Sequence, residues 1–523
     1  MAADSTTLAD RAAAMIAGGV PAADWLVVLP VAIPLTVGAL LLVLRHEMRW
    51  HAVAALIGLG AGLAANLALL MAVIADGPRA MVMGSWLPPF GIAFTADLLG
   101  AGFSCVAAFV CFVCCIFSAR DIGTSGRRYG FYPFLMLMMA GVSGAFLTGD
   151  VFNLYVWFEV FVISSFGLLI LGSERAQLDG ATKYAILNLV ATTLFLIAVG
   201  LLYGAFGTLN MADLAIRIGQ GGGGVPLLGL GALFLLAFGM KAAAFPLNFW
   251  LPASYHTPRI VVAALFGGLL TKVGVYALLR VLVMLMPGET VTLSGIIGWA
   301  AGATMILGAM GALAQSDVRR MAGFLVISGV GVMLAGIAIG DAAGLSGAIF
   351  YAAHSMLAMT GLYLLSAMMR EQGASFSLYD LGGLYRDAPW LSALAILLFL
   401  AVAGLPPGSG LWPKVMLVKA SLDAGAWWLA AAILVSSLMV TIALFRTFAL
   451  AFWRPRPDEP PAAVRQQPLL ASTGYVALIL LALPIAWLGL WPETVASISM
   501  SAAAGLIDPS PYINAVFPVG GTP

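Results

Sequence analysis

Charge is scarce in this chain: of 523 residues, 9% are Asp, Glu, Lys or Arg, while 62% are hydrophobic. A soluble protein of that length needs far more charge to cover its surface, which excludes a water-soluble globule. The net charge of +1, without an acidic or basic tail, argues against nucleic acid as a partner. Cysteine is limited to Cys105, Cys111, Cys114 and Cys115, all in one apolar stretch. Cys111 and Cys114 make a C-x-x-C, but without His or carboxylate company it reads as packing rather than as a metal or redox centre. The GQGGGG run lacks the Lys-Ser/Thr of a phosphate loop, and no carboxylate cluster suggests a cation cage. No cofactor and no resident metal is therefore expected. The N-terminus, MAADSTTLADRAAAMIAGGVPAADW, lacks the basic region and compact apolar core of a signal peptide. It reads as a short non-cytoplasmic leader to a first span.

What the chain has instead is apolar runs of about 20 residues, each long enough to cross ~30 Å of hydrocarbon as a helix. About fourteen are legible: 26–44, 52–75, 97–118, 131–149, 151–171, 183–205, 226–250, 260–285, 291–314, 321–340, 345–369, 390–422, 426–452 and 469–490. The expected fold is an all-α polytopic membrane protein. Lys and Arg orient it, because cytoplasmic loops keep the positive excess. The odd-numbered connections hold 15 of the 24, whereas the even-numbered connections and both tails hold four: Arg11, Arg79, Arg217 and Arg280. Both termini are thus expected away from the cytoplasm.

The remaining five, Lys241, Lys272, Lys414, Lys419 and Arg446, fall inside spans. Two of them sit beside helix breakers. KAAAFPLNFWLP puts Pro246 after Lys241 in span 7, and GLPPGSGLWPK puts Pro406, Pro407 and Pro413 before Lys414 in span 12. Interrupted spans in corresponding positions of two halves point to a transport site. Spans 4–8 and 9–13 are two groups of five, with the interrupted span fourth in each. Five is odd, so the second group is expected inverted relative to the first. The implied divisions are 1–130, 131–285, 286–452, and 453–523 with helix 14 and a tail.

Span 5, VFNLYVWFEVFVISSFGLLIL, adds Glu159 near its middle, and span 11 adds His354. A Glu–Lys pair could simply glue two helices. As a set, however, Lys241, Lys272, Lys414 and His354 face one central carboxylate, so full pairing is impossible. Intramembrane ionisable residues mark ion pathways and proton relays, and a row of groups that take up and release protons is what such a path needs. Lys419 and Arg446 lie nearer span ends and are expected to snorkel. Asp97 reads as a helix N-terminal residue at headgroup depth. His256, in SYHTP, is a cytoplasmic loop histidine that either feeds protons inward or is merely solvated. Arg319 and Arg320 read as topology signals.

FNLYVWFEVFVISSFGLLILG, GMKAAAFPLNFWLPASYHTP, FGGLLTKVGVYALLR and GLPPGSGLWPKVMLVKA together resemble the antiporter-like subunits of respiratory complex I, membrane-bound hydrogenases and Mrp-type cation/proton antiporters. They look most like the D-type subunits of the Mrp antiporters. The resemblance implies fourteen helices, two inverted five-helix repeats, discontinuous helices 7 and 12, and a mid-membrane polar line carried by Glu159, Lys241, Lys272, His354 and Lys414. Two positions depart from many relatives: Met359 stands where they have a lysine, and Gly329 where they have His or Gln. Either Ser328 and water fill that gap or the connection between the halves is weaker than in relatives. The resemblance also implies a bacterial plasma membrane, partner subunits of the A, B, C, E, F and G types, and exchange of protons for sodium or potassium. A proton-pumping subunit of a complex I-type dehydrogenase or hydrogenase is the alternative, and a purely structural scaffold a third reading.

Overall fold

A backbone crossing lipid has no water to bond to, so it must satisfy its own N–H and C=O groups, and a helix does so within one segment. The computed structural model describes residues 23–86, 88–221, 224, 226–456 and 468–517. The expected leader, residues 1–22, lies outside the described residues. Among the described residues, eleven helices are long and apolar enough to cross a membrane, and four more are apolar but shorter.

In chain order, α1 (Trp25–Val43), α2 (Met48–Asp76) and α3 (Leu98–Asp121) come first. They are followed by α4 (Phe131–Leu147), α5 (Val151–Leu169) and α6 (Arg175–Phe206). Next come α7 (Leu227–Ala242), the short α8 (Trp250–Ser254) and α9 (Ile260–Leu285). The second half has α10 (Pro287–Ala314), α11 (Val318–Ile339), α12 (Ala342–Gly373), α13 (Pro389–Ala403), α14 (Leu411–Asp423) and α15 (Trp427–Trp453). It closes with α16 (Pro468–Leu490), α17 (Glu493–Ile507) and α18 (Ser510–Val516). The last two were not legible as more than a tail.

The all-α expectation needs one correction. The connection after α2 folds back as an antiparallel hairpin, β1 (Arg79–Val82) and β2 (Ala93–Ala96), with Arg79 opposite Ala96 and Val82 opposite Ala93. The isolated bridge Phe94–Thr148 ties it to the α4–α5 turn, and a second bridge, Asp150–Asn210, ties that turn to the segment after α6. This backbone lies at the end of the bundle, where strand pairing satisfies groups that no helix covers.

The two halves meet in the core. The apolar stretch of α9 is buried throughout and that of α12 is 94% buried, so the helices carrying Lys272 and His354 touch protein on every side. Close crossings rest on small residues, as expected where lipid gives helices no hydrophobic drive to associate. A Cβ at Gly308 of α10 would lie 2.5 Å from the Ser328 backbone nitrogen of α11.

The scarce carboxylates are used at helix starts. Asp97, Asp150, Asp317 and Asp341 cap α3, α5, α11 and α12 by accepting backbone N–H groups. Asp97 also ion-pairs with Arg280, which is 1% exposed. Arg280 therefore belongs to the buried end of α9, not to a connection as its position near a span end suggested. Its guanidinium lies 5.3 and 5.2 Å from the Tyr276 and Tyr512 rings, and Nε donates to the Tyr276 hydroxyl at 3.0 Å. A buried arginine is tolerated when its donors are matched in this way.

Both proline-marked spans are interrupted. α7 stops at Ala242, with Ala243 left-handed (φ 63°), and the chain resumes helix at Trp250. α13 stops at Ala403, with Gly404 left-handed (φ 82°), and helix resumes at Leu411.

Candidate functional site

A broken helix exposes carbonyls at the end of its first half, and those carbonyls carry the negative end of the helix dipole. Each break has a buried lysine beside it, held in a different way. Lys414, from α14, reaches back and donates to the carbonyls of Ala403 at 2.7 Å and Val402 at 3.3 Å. Lys241 lies in the last turn of α7 itself. Its ammonium donates to Thr192 Oγ1 of α6 at 2.9 Å and sits 4.9 Å from the Phe158 ring centroid. Thr304 of α10 closes the first break by accepting the Phe245 N–H at 2.9 Å, so the second half of the chain holds the break of the first.

Lys272 uses a third device. Residues Phe266–Leu270 of α9 are π-helical, and a π-turn displaces a carbonyl from the regular ladder. The Lys272 ammonium donates to the Gly267 carbonyl at 2.6 Å. Lys241, Lys272 and Lys414 are 5%, 0% and 8% exposed, and each is held by neutral oxygens.

Glu159, from α5, is half-buried, and its Oε1 is buried without a hydrogen-bonding partner among the described residues. Its neighbour Phe158, rather than Glu159 itself, covers Lys241. The single glue pair that the sequence allowed is thus absent among the described residues, and Lys241 turns to Thr192 instead. His354, 0% exposed, shares a 2.7 Å hydrogen bond between Nδ1 and Ser409 Oγ of the second break, and its Nε2 has no partner among the described residues.

Two small cavities flank the broken helices. One of about 10 Å³ is lined by Lys241, Tyr184, Asn188 and Trp250. The other, also about 10 Å³, is lined by Lys414, Ser328, Gly329, Tyr351, Ser436 and Ser437. Each has about the space that one water's centre needs. Ser328 itself donates to the Met305 carbonyl at 3.1 Å. A Cβ at Gly329 would lie 3.2 Å from the Tyr351 hydroxyl. Tyr351, three residues before His354 and 5.4 Å from its ring, thus occupies the space a larger residue at 329 would need. Met359 is buried on α12 beside Thr360, which donates to the Met356 carbonyl at 2.7 Å.

His256 lies apart from this core, in the loop after α8. Nδ1 donates to the Pro252 carbonyl at 2.8 Å, and Nε2 accepts from Arg320 at 3.3 Å. Burial holds the imidazole below its usual range against the Pro252 bond, and the Arg320 and Arg319 charges add to that. His256 and Arg320 line an open cavity of about 680 Å³ with Asp179, Lys183 and Asn248. Asn248 belongs to the first break, so this vestibule reaches the interrupted segment. Lys419 pairs with Asp423 at the exposed end of α14, as a snorkelling residue does.

Sequence reasoning missed Thr192, Ser409, Tyr351 and Tyr184. Ser409 stood inside the quoted break and Tyr351 one helical turn from His354, so both carried a local signal. Thr192 lies 49 residues from Lys241 and carried none.

The chain matches the family model described as NADH:quinone oxidoreductase/Mrp antiporter, TM, over residues 148–440. It is 36% identical over 490 residues to the D-type subunit of the Na(+)/H(+) antiporter of Bacillus subtilis, covering 94% of this chain and 99% of that relative. Identity is 37% over 497 residues to the protein of the same name from Alkalihalophilus pseudofirmus, with the same coverage. Among solved structures, a chain of the Mrp complex from Dietzia sp. DQ12-45-1b superposes with a TM-score of 0.87 at 27% identity, over 95% of this chain and all of that one. A chain of respiratory complex I from Thermus thermophilus superposes at 0.78 and 26% identity, over 92% and 99%.

Proposed function

The chain belongs to the NADH:quinone oxidoreductase/Mrp antiporter family and is an antiporter-like membrane subunit of a multisubunit Na+/H+ antiporter, and from this premise we propose that protons cross it along Glu159, Lys241, Lys272, His354 and Lys414. One observation carries the proposal. Three lysines are buried at two helix breaks and a π-turn, each hydrogen-bonded to a hydroxyl or carbonyl and, among the described residues, none to a carboxylate. A buried ammonium without a fixed anion is a poor way to stabilise a helix bundle and a good way to hold a proton that must leave again. Neutral oxygens accept from the ammonium more strongly than from the amine, but hold the charged form less firmly than a carboxylate would.

Glu159, unpaired among the described residues, acts as the nearby negative charge that draws the proton on Lys241 away from Thr192. Lys272 and His354 continue the line through the two central helices, and Lys414 ends it at the second break. Fourteen spans follow when α7 with α8 and α13 with α14 each count as one interrupted span and α17 and α18 are counted as the tail. The inverted pair of five-span groups is supported by the matching breaks, each opening on a left-handed residue after a helix end. With Arg127, Arg128, Lys183, Arg259, Arg319 and Arg320 in its connections or in the first turns of the helices that leave them, the His256 end faces the cytoplasm and both termini face away from it.

The complex I-type alternative is not favoured. Relatives of which this chain covers 99% at 36–37% identity are named antiporter subunits. The test uses the assembled complex in everted membrane vesicles, with sodium-driven proton movement as the readout. Glu159→Gln and Lys241→Ala should each abolish exchange while the complex still assembles. An assembled variant of either kind exchanging at the wild-type rate refutes the role assigned to that residue.

A further inference from the structure

Two tyrosines in the core are more polar than their packing requires. Tyr255, which follows α8 directly, and Tyr363, on α12, are both 0% exposed, and neither hydroxyl has a partner among the described residues. An unmatched buried hydroxyl is costly, and phenylalanine would fill either space without that cost. Their positions suggest what the hydroxyls are for.

The chain on either side of Tyr255 lines the polar openings at the His256 end. His256 faces the 680 Å³ vestibule. Thr257 lines both that vestibule and a second one of about 490 Å³, which also contains Asp121, Asp317, Arg319 and Arg370. Toward the core, the Tyr255 ring packs 5.5 Å from Phe266 and 5.7 Å from Trp250. Tyr184 packs against the same two rings, at 6.1 and 5.4 Å, and it lines the small cavity beside Lys241. Tyr363 lies against the next residue of the π-turn: a Cβ at Gly267 would fall 2.6 Å from its ring. The Gly267 carbonyl is the one that holds Lys272. Three buried tyrosines therefore converge on Phe266 and Gly267, between the vestibules and the two lysines. Thr271, beside Lys272, adds another buried hydroxyl without a partner among the described residues.

We propose that the hydroxyls of Tyr255 and Tyr363 relay protons between the vestibules at the His256 end and Lys241 and Lys272, with water as the carrier between hydroxyls. Tyr255 serves the Lys241 side through Tyr184, and Tyr363 serves the Lys272 side. In each hop the phenol oxygen takes a proton from a protonated neighbour as its own O–H proton leaves to the next acceptor. The phenol stays neutral, no electron moves, and rotation of the O–H resets the site. The inference rests on the lysine path proposed above and adds its entry.

Tyr→Phe separates relay from packing, because it keeps the ring and removes only the oxygen. Tyr255→Phe, Tyr363→Phe and the double variant are measured in the whole complex in everted vesicles, beside Lys241→Ala. The relay predicts a severalfold slower sodium-driven exchange for each single variant and at least a tenfold loss for the double, with assembly and thermal stability unchanged or improved. A double variant that assembles and exchanges at the wild-type rate overturns it. If Lys241→Ala is inactive in that same experiment, the lysine path stands and only the tyrosine entry falls. If Lys241→Ala also exchanges normally, the path itself is wrong. Should the double variant fail to assemble, the singles decide: wild-type exchange in both overturns the relay.

Discussion

Thr192→Val tests the least expected contact of the site. Lys241 is held by Thr192 Oγ1 at 2.9 Å, with both side chains buried. Valine keeps the volume and branching of threonine but offers the ammonium no acceptor. A hydrogen bond to a charged group contributes about 1.5–3 kcal/mol, and each ~1.4 kcal/mol is a factor of ten in rate or population. If proton transfer requires Lys241 to alternate between Thr192 and the neighbourhood of Glu159, removing one of its two resting places slows exchange about 10- to 100-fold. The assay is sodium-driven proton movement in everted vesicles, followed with a pH-gradient dye and normalised to assembled complex. Thr192→Ser restores the acceptor and is expected to stay within a few-fold of wild type. An assembled Thr192→Val complex exchanging within twofold of wild type would refute the reasoning, since the contact would then be packing.

Other positions give independent checks. Gly404→Ala places a Cβ 2.9 Å from the Lys414 ammonium at a left-handed residue. That conformation costs about 1–2 kcal/mol for an L side chain, so a melting temperature lower by a few degrees and a large loss of exchange are expected; unchanged exchange would separate Lys414 from the path. His354→Ala is expected to slow exchange severalfold without abolishing it, because solvent can bridge beside Lys414; complete loss would show that no bypass exists. Asp150 lies outside the spans, and burial raises its carboxyl to about 6, against the bonds from Asn153 and Phe152 that lower it. A raised folded value means that its favourable contribution is full below about pH 4 and is lost as pH rises to about 6. Asp150→Asn keeps an oxygen for the α5 cap but cannot ionise, so its thermal stability relative to wild type should increase between pH 4 and 6 and then level off. A gap that does not change with pH would contradict the assignment.

Much of the architecture was legible because the signals are local. Apolar runs of hydrocarbon length and the prolines at 246, 406 and 407 marked the helices and the breaks, and the breaks drew attention to Lys241 and Lys414. Arg280 shows where such reading stops. Its place near a span end suggested a connection, but its partner Asp97 is 183 residues away, so its burial could not be seen in any window. The β1–β2 hairpin escaped for a similar reason, since the bridge from Phe94 to Thr148 that ties it down joins distant parts of the chain. α17 and α18 escaped because small residues and a seven-residue helix leave little periodic signal.

By itself, the sequence determined that the chain must live in lipid, where its helices run and break, and which ionisable groups fall inside the apolar runs. These follow from transfer energies and backbone chemistry, which act residue by residue. Only the tertiary structure decided what each of those groups touches: Lys241 meets a threonine rather than Glu159, Lys272 a π-turn carbonyl, Lys414 the open end of the preceding half-helix. Hydrogen bonds are made at about 3 Å, and that distance is set by how helices cross, not by how many residues separate two side chains along the chain.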